Sequence, residues 1–112
     1  MTRNTGLRWE KLTEDGSIHD KYNLYNWMEA TSIKVAALNS DSYLGHSDWR
    51  LPSKDELLSA IGDDGFAPSY YWSSMTYASY PSHAWYVDFN AGHHHAYNKT
   101  NYYYVRAVRG SS

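Results

Sequence analysis

Three consecutive histidines, His93, His94 and His95, stand in the stretch NAGHHHAYNKTNYYY, and Tyr102, Tyr103 and Tyr104 follow shortly after. Imidazoles this close together first suggest a metal site. On an extended chain successive side chains point to opposite faces, so His93 and His95 share a side that His94 cannot join. A structural zinc site takes four ligands and a catalytic one usually three. His83, Asp88 and Asn90 could add to the pair, but no spacing requires it, and the expectation is no metal and no cofactor. His46-Ser47-Asp48 holds the residue types of a hydrolase triad, yet neighbours in sequence cannot aim at one another in a relay. Glu14-Asp15 and Asp63-Asp64 sit in glycine-bounded stretches where carboxylates serve solvation and turn geometry. The chain contains no cysteine, which removes disulfides, thiolate nucleophiles and zinc–thiolate sites together. No catalytic residue emerges, and the expectation is that the protein is not an enzyme.

The tyrosines remain. From Tyr70 to Tyr104 lie nine of the chain's 12 tyrosines, with four histidines, three asparagines and four serines, but only Lys99 as a basic and Asp88 as an acidic residue. A solvated face would be charged and a core would carry aliphatic side chains; this window does neither. Large rings interspersed with small hydrogen-bonding groups are the material of adaptable recognition surfaces. A surface with few charges also loses little solvation when a partner covers it. The expected contact residues are Tyr77, Tyr80, His83, Tyr86, Asp88, Asn90, His93, His95, Tyr97, Asn101 and Tyr103. The bland alternative is a tyrosine-rich sheet that packs on itself.

Elements to position these side chains can be read along the 112 residues, a length that suits one domain spanning 1–112. GLRWE, Gly6 to Glu10, reads as a first strand with Leu7 and Trp9 on one face, and TEDG after it as a turn. From Asn26 a helical stripe runs through Trp27, Ala30, Ile33, Ala37 and Leu38, with Lys34 on the far side. Asn26 with Glu29 forms a capping-box pattern, as does Ser53 with Glu56 ahead of a second helix from Lys54 to Ile61. GDDGFAP then ends that helix. AWYVDF alternates as a half-buried strand, with Trp85, Val87 and Phe89 on one side and Tyr86, Asp88 and Asn90 on the other. Asn90-Ala91-Gly92 is a turn, HHHAYNK the returning strand and YYYVRAVRG the last one. The five tryptophans, Leu57 and Val105 should be mostly core. Arg50, Arg106 and Arg109 stand beside core-type residues and are read as loop-organising cations, with Asp48 as one partner. The fold class is α+β, two helices early and a small antiparallel sheet late.

Several pieces in this order resemble a known family: GLRWE, the W-x-E-A helix at Trp27 to Ala30, GHSDWRLPSKDELL, YWSS, AWYVDF and the terminal VRAVRG. They are similar to the small bacterial C-type-lectin-like domain typified by the C-terminal domain of the Lcl collagen-like adhesin, over Gly6 to Gly110. The resemblance implies a C-type-lectin-like fold, with both termini in neighbouring strands and a long irregular region presenting ligand contacts. Many members carry cysteines where Val35 and Ala107 stand here, so apolar packing is expected in place of that disulfide. Formylglycine-generating relatives depend on active-site cysteines, which this chain lacks, and no E-P-N or Q-P-D motif for calcium-dependent sugar binding appears.

The closest resemblance within that group is to the variable proteins of diversity-generating retroelements. An asparagine codon AAC randomised at its adenines can yield Tyr, His, Asn, Asp, Ser, Ala, Thr or Gly, but never Lys, Met, Trp, Gln or Glu. Thr76, Tyr77, Ser79, Tyr80, Ser82, His83, Tyr86, Asp88, Asn90, His93, His94, His95, Tyr97, Asn98, Asn101, Tyr102 and Tyr103 belong to that accessible set. Met75, Trp85 and Lys99 do not and would be fixed scaffold. The resemblance implies a ligand-binding domain whose partner is a protein or glycan on a cell or virus surface, displayed on a larger protein, secreted, or carried on a phage particle. A glycan-binding adhesin, which could be trimeric, is the alternative. Homo-oligomerisation stays open, because an uncharged tyrosine surface exceeds what most monomers expose. Ten basic and 12 acidic residues, a formal charge of −2, give no electrostatic case for nucleic acid. No apolar run approaches the ~20 residues needed to span a bilayer, and the start of the chain lacks a signal-peptide pattern.

Overall fold

The computed structural model describes residues 6–62, 66 and 68–110. Asp63 and Asp64, expected in a turn, lie outside the described residues. Among the described residues seven strands form two sheets. β1 (Arg8–Trp9) pairs with β7 (Val108–Arg109) in an antiparallel ribbon. The larger sheet runs in the order β2 (Leu24–Tyr25), β6 (Tyr103–Tyr104), β3 (Tyr70–Thr76), β4 (His83–Asp88), β5 (His93–Asn98). The architecture is α+β, and its two ends meet as the lectin-like resemblance implies. They meet closely: a Cβ on Gly110 (φ +92°) would lie 2.4 Å from the Gly6 carbonyl oxygen, so that contact requires glycine. The sheet is mixed rather than purely antiparallel, because β6 runs parallel to β3. The expected last strand is split, β6 completing the large sheet and β7 the ribbon. Between them the Ala107 carbonyl accepts from the Glu10 N–H at 2.9 Å.

Both helix starts form as the local sequence dictates. Asn26 Oδ1 accepts from the Glu29 N–H at 2.9 Å, while the Asn26 N–H reaches Glu29 Oε1 at 3.2 Å. The helix continues as α1 (Trp27–Glu29), a π segment (Ala30–Val35) and α2 (Ala36–Ser40). The π segment overturns the expected stripe: Ile33 is 47% exposed and Lys34 is 0% exposed. Its wider turns rotate the following residues around the axis, carrying Ile33 out and Lys34 in. There the Lys34 ammonium donates to Glu10 Oε2 at 2.6 Å and to the Ile18 carbonyl.

α3 (Lys54–Ser59) is capped by Ser53, whose Oγ accepts from the Glu56 N–H at 3.1 Å while Glu56 Oε1 accepts the Ser53 N–H at 2.8 Å. It ends two residues before the expected Ile61. Glu56 also takes a two-pronged contact from Arg50, both prongs at 2.8 Å, and Arg50 reaches the Gly110 carbonyl at 2.9 Å. One carboxylate therefore ties the helix start to the end of the chain. Hydrogen bonding from Arg50 holds the Glu56 carboxyl below its ordinary pKa, against the opposing effect of burial. Glu56→Ala is expected to cost about 2 kcal/mol in urea unfolding at neutral pH, from the lost charged bonds and cap. The folded pKa being depressed, this contribution is present above the unfolded carboxyl value and lost as pH falls through the folded one. Wild type and variant should accordingly converge in acid.

The large sheet is packed on both faces. On one, Trp72 and Ala84 join Tyr25, Ala30, Val35, Leu51 and Val105. On the other, Tyr71 and Val87 meet Leu57, with Trp9, Phe66, Phe89 and Tyr104 around them. A third cluster gathers Leu38, Trp49 and Ala107. Val35 and Ala107, at the positions where relatives carry cysteines, are both buried but in different clusters. Trp49 and Trp72 are core, as are Leu57 and Val105, whereas Trp9, Trp27 and Trp85 are only half-buried. The arginines organise loops as expected: Arg109 Nε donates to Asp48 at 2.8 Å, and the Arg106 guanidinium lies 4.7 Å from the Phe66 ring centre. No helix of the described residues is long and apolar enough to cross a membrane.

Candidate functional site

Strand register decides which rings come together. Tyr86 lies opposite Trp72 on β3 and opposite His95 on β5; Asp88 lies opposite Tyr70 and His93; Ala84 lies opposite Tyr97. These side chains therefore share one face of the sheet. The helix and β2 cover its inner part, around Trp72 and Ala84, and leave the outer part open. There Tyr70, Tyr86 and Tyr103 form a triangle of rings with centres 4.9, 5.2 and 4.8 Å apart. Trp72 supports them from below, 4.7 Å from Tyr103 and 6.3 Å from Tyr86. The row continues outward from Tyr86 to His95 at 5.8 Å and from His95 to His93 at 6.1 Å.

A second row starts in the loop between β3 and β4. Tyr77 stands 6.0 Å from Tyr80, Tyr80 is 5.7 Å from His83, and His83 is 6.3 Å from Tyr97. Tyr97 links the rows, for it lies close enough to Tyr86 and Tyr103 to raise the pKa of both through charge repulsion. The eight aromatic residues expected to make contacts thus fall in two adjoining rows. Tyr80 is 63% and Tyr97 51% exposed, His93 and His95 are exposed, and the other four are half-buried. Of the nine late tyrosines only Tyr71 is fully buried. Tyr70, Tyr80, Tyr97 and Tyr102 are exposed, whereas Tyr77, Tyr86, Tyr103 and Tyr104 are half-buried, and of these Tyr86 and Tyr103 pack against the Trp72 cluster.

The three polar candidates are placed differently. Asp88 Oδ1 accepts the Asn90 and Ala91 N–H groups at 2.8 and 3.2 Å, so that oxygen builds the β4–β5 turn. Asn101 Nδ2 donates to the Asn98 carbonyl at 3.2 Å and braces the next turn. Asn90 is exposed at the turn itself. Tyr70, not among the expected contacts, occupies a corner of the triangle at 38% exposure. The signal that would have found it is its two-residue spacing from Trp72 on a strand the sequence reading did not recognise.

Every residue of the adenine-accessible set named above is half-buried or exposed. Lys99, outside that set, works as scaffold: its ammonium lies 4.1 Å from the Trp27 ring centre and donates to Thr76 Oγ1 at 3.0 Å. Trp85 is held between Lys54, 4.5 Å above its ring, and Tyr77 at 5.0 Å. His94 points to that other face, 5.4 Å from Trp85. Among the described residues no group of three His, Cys, Asp or Glu side chains is arranged to hold a metal ion.

Burial, and secondarily the neighbouring phenols Tyr86, Tyr97 and Tyr70, push the Tyr103 hydroxyl up to about 12. Tyr86 is raised too, first by burial and then by Tyr70, Asp88 and Tyr97. At neutral pH these half-buried hydroxyls are therefore neutral and able to donate. A spectrophotometric phenolate titration should show a step near 12 that Tyr103→Phe removes.

A small α+β domain, closed by a ribbon of its two ends and exposing a band of rings, is the class these features define. The model of the Lcl C-terminal domain matches residues 2–109, and the chain belongs to that family. No curated protein matches it.

Proposed function

We propose that this domain is a non-enzymatic recognition module whose contact surface is the aromatic band of β3, β4, β5 and β6 with the loop between β3 and β4. The observation that carries the reading is the band itself: adjoining rings on a rigid sheet, open to solvent and nearly free of charge. Such rings lose little rotamer entropy on binding, and buried tyrosine anchors dominate many interfaces. Its partner is a protein or glycan on another cell or a virus. A finer reading is a diversified variable protein of a diversity-generating retroelement. It is supported by the half-buried or exposed location of the 17 positions named for that set and by the packing of Trp85 and Lys99, whereas Met75, expected as scaffold, is 43% exposed and Tyr71, Ser73 and Ala84, of accessible types, are buried.

Arrays of glycans and of cell-surface proteins, probed with the purified domain, test the first reading. Tyr86→Ala is expected to weaken whatever binding is found by about 2 kcal/mol, roughly 30-fold, while Tyr22→Ala, on an exposed ring outside the two rows, leaves it unchanged. Retention confined to the glycans would favour the adhesin alternative; equal binding by the Tyr86→Ala variant would remove the band from consideration. Sequencing sibling copies tests the finer reading: substitutions spread evenly over helices and sheet would sink it.

A further inference from the structure

β5 ends the large sheet, and among the described residues no strand pairs with its outer edge. The ladder shows which of its groups are free. Lys99 N–H donates to the Ser82 carbonyl at 2.9 Å, in line with the β4–β5 register that pairs His83 with Asn98. On the far side of β4, the His83 carbonyl accepts from Tyr77 and the Phe89 N–H donates to Ser69. In an antiparallel ladder hydrogen-bonded and non-hydrogen-bonded pairs alternate. Odd-numbered residues of β5 therefore bond to β4, and His94, Ala96 and Asn98 direct their backbone groups outward. The Asn98 carbonyl is already taken, accepting from the Asn101 N–H at 3.0 Å. Among the described residues the N–H and C=O of His94 and of Ala96 remain free, together with the Asn98 N–H.

Edges of this kind are normally blunted by lysine, proline, a bulge or a covering loop. The six residues HHHAYN carry neither lysine nor proline, their register with β4 is continuous, and all but Ala96 and Asn98 are exposed. We infer that β5 is a homodimerisation edge, pairing antiparallel with β5 of a second copy about a two-fold axis through His95. In that register His94 faces Ala96 of the other copy and Ala96 faces its His94, so the N–H and C=O of both residues are bonded. A shift that set His94 against Asn98 would meet the occupied carbonyl. The cross-strand pairs are His93 with Tyr97, His94 with Ala96, and His95 with His95, none of them a carboxylate or lysine, and Ala96 sets a small residue opposite a large one. The pairing joins the aromatic bands of two copies into one continuous surface, but it does not depend on what the band binds.

Two variants of the full chain test this. Ala96→Pro deletes an outward N–H while sparing the β4 ladder, as proline is tolerated on edge strands. Wild type is expected to sediment as a concentration-dependent monomer–dimer mixture, and the variant as a monomer at the same concentrations with unchanged circular dichroism. His95→Cys places a single thiol on the axis, in a non-hydrogen-bonded pair whose Cα separation of about 4.5 Å suits a disulfide. It should cross-link under mild oxidation well before Tyr80→Cys, a control at another exposed position. A wild type that stays monomeric with both thiols oxidising at equal rates, a trimer, or a dimer that survives Ala96→Pro would overturn the inference. Should Ala96→Pro fail to fold, the thiol comparison still decides. Failure of partner binding would instead remove the recognition reading and leave the dimer standing.

Discussion

Lys34→Ala is expected to lower the unfolding free energy by about 3–5 kcal/mol, a large part of what a domain of this size has to lose. The reason lies in what the substitution leaves behind. Glu10 and Lys34 are both 0% exposed and meet at 2.6 Å. Glu10 Oε2 also contacts His19 Nδ1 at 2.8 Å, and Oε1 accepts the Ala107 N–H at 3.1 Å. One carboxylate thus joins the first strand, the loop after it, the helix and the last stretch of chain. Without Lys34 it becomes a buried charge lacking its cation, and the Ile18 carbonyl loses its donor. Burial alone lowers the Lys34 pKa, and Glu10 opposes that shift. The double variant Glu10→Gln/Lys34→Met separates pairing from packing. It removes both charges together and keeps an amide oxygen for the Ala107 N–H, so it should be clearly more stable than Lys34→Ala. Urea unfolding of wild type, Glu10→Gln, Lys34→Met and the double gives the coupling directly. If Lys34→Ala and the double variant unfolded together, the pair would not be what holds the helix to the ribbon.

This lysine also marks where sequence reasoning stopped. The two capping boxes are legible because Asn26 with Glu29, and Ser53 with Glu56, act within one turn and need no tertiary partner. The hairpin of β4 and β5 is legible too, since Tyr86 and Val87 face different environments and Asn90-Ala91-Gly92 must turn. Lys34 is different: its inward turn follows from a π segment and from Glu10, 24 residues earlier. A period of 3.6 assumes a uniform helix, so it placed Ile33 inside and Lys34 outside. β3 escaped for a related reason. Tyr71 and Trp72 are both 0% exposed because the sheet is covered on both faces, and a strand buried on both sides shows no alternation. With β3 missed, Tyr70 could not be placed beside Tyr86 and Tyr103. Composition identified the region of the candidate site, and alternation correctly separated His93 and His95 from His94. The turn-building roles of Asp88 and Asn101 depend on backbone geometry that side-chain type alone does not specify.

Trp72 connects stability to the aromatic band, and Trp72→Ala is expected to cost about 3–5 kcal/mol, as large core truncations do. The ring is 0% exposed, and its Nε1–H donates to the Tyr25 carbonyl at 2.9 Å. Trp72→Phe keeps an aromatic ring but strands that carbonyl, a loss of about 1–3 kcal/mol. The substitutions should also differ at the surface, because Trp72 is the floor beneath Tyr103. Burial is the main cause of the raised Tyr103 pKa, so opening a cavity under it in Trp72→Ala should draw its ionisation down from about 12 towards the ordinary phenol value. Trp72→Phe should move it less. The direction for stability follows from linkage: with the folded pKa raised, the unfolded chain ionises first, and stability is lost as pH rises through the interval up to about 12. Trp72→Ala should flatten that alkaline loss even as it lowers stability at neutral pH. A variant that unfolds more easily yet leaves the Tyr103 titration unmoved would mean that the rings are held in place by one another and not by the tryptophan. In that case the band should be treated as a self-supporting layer, and partner binding should be insensitive to Trp72→Phe.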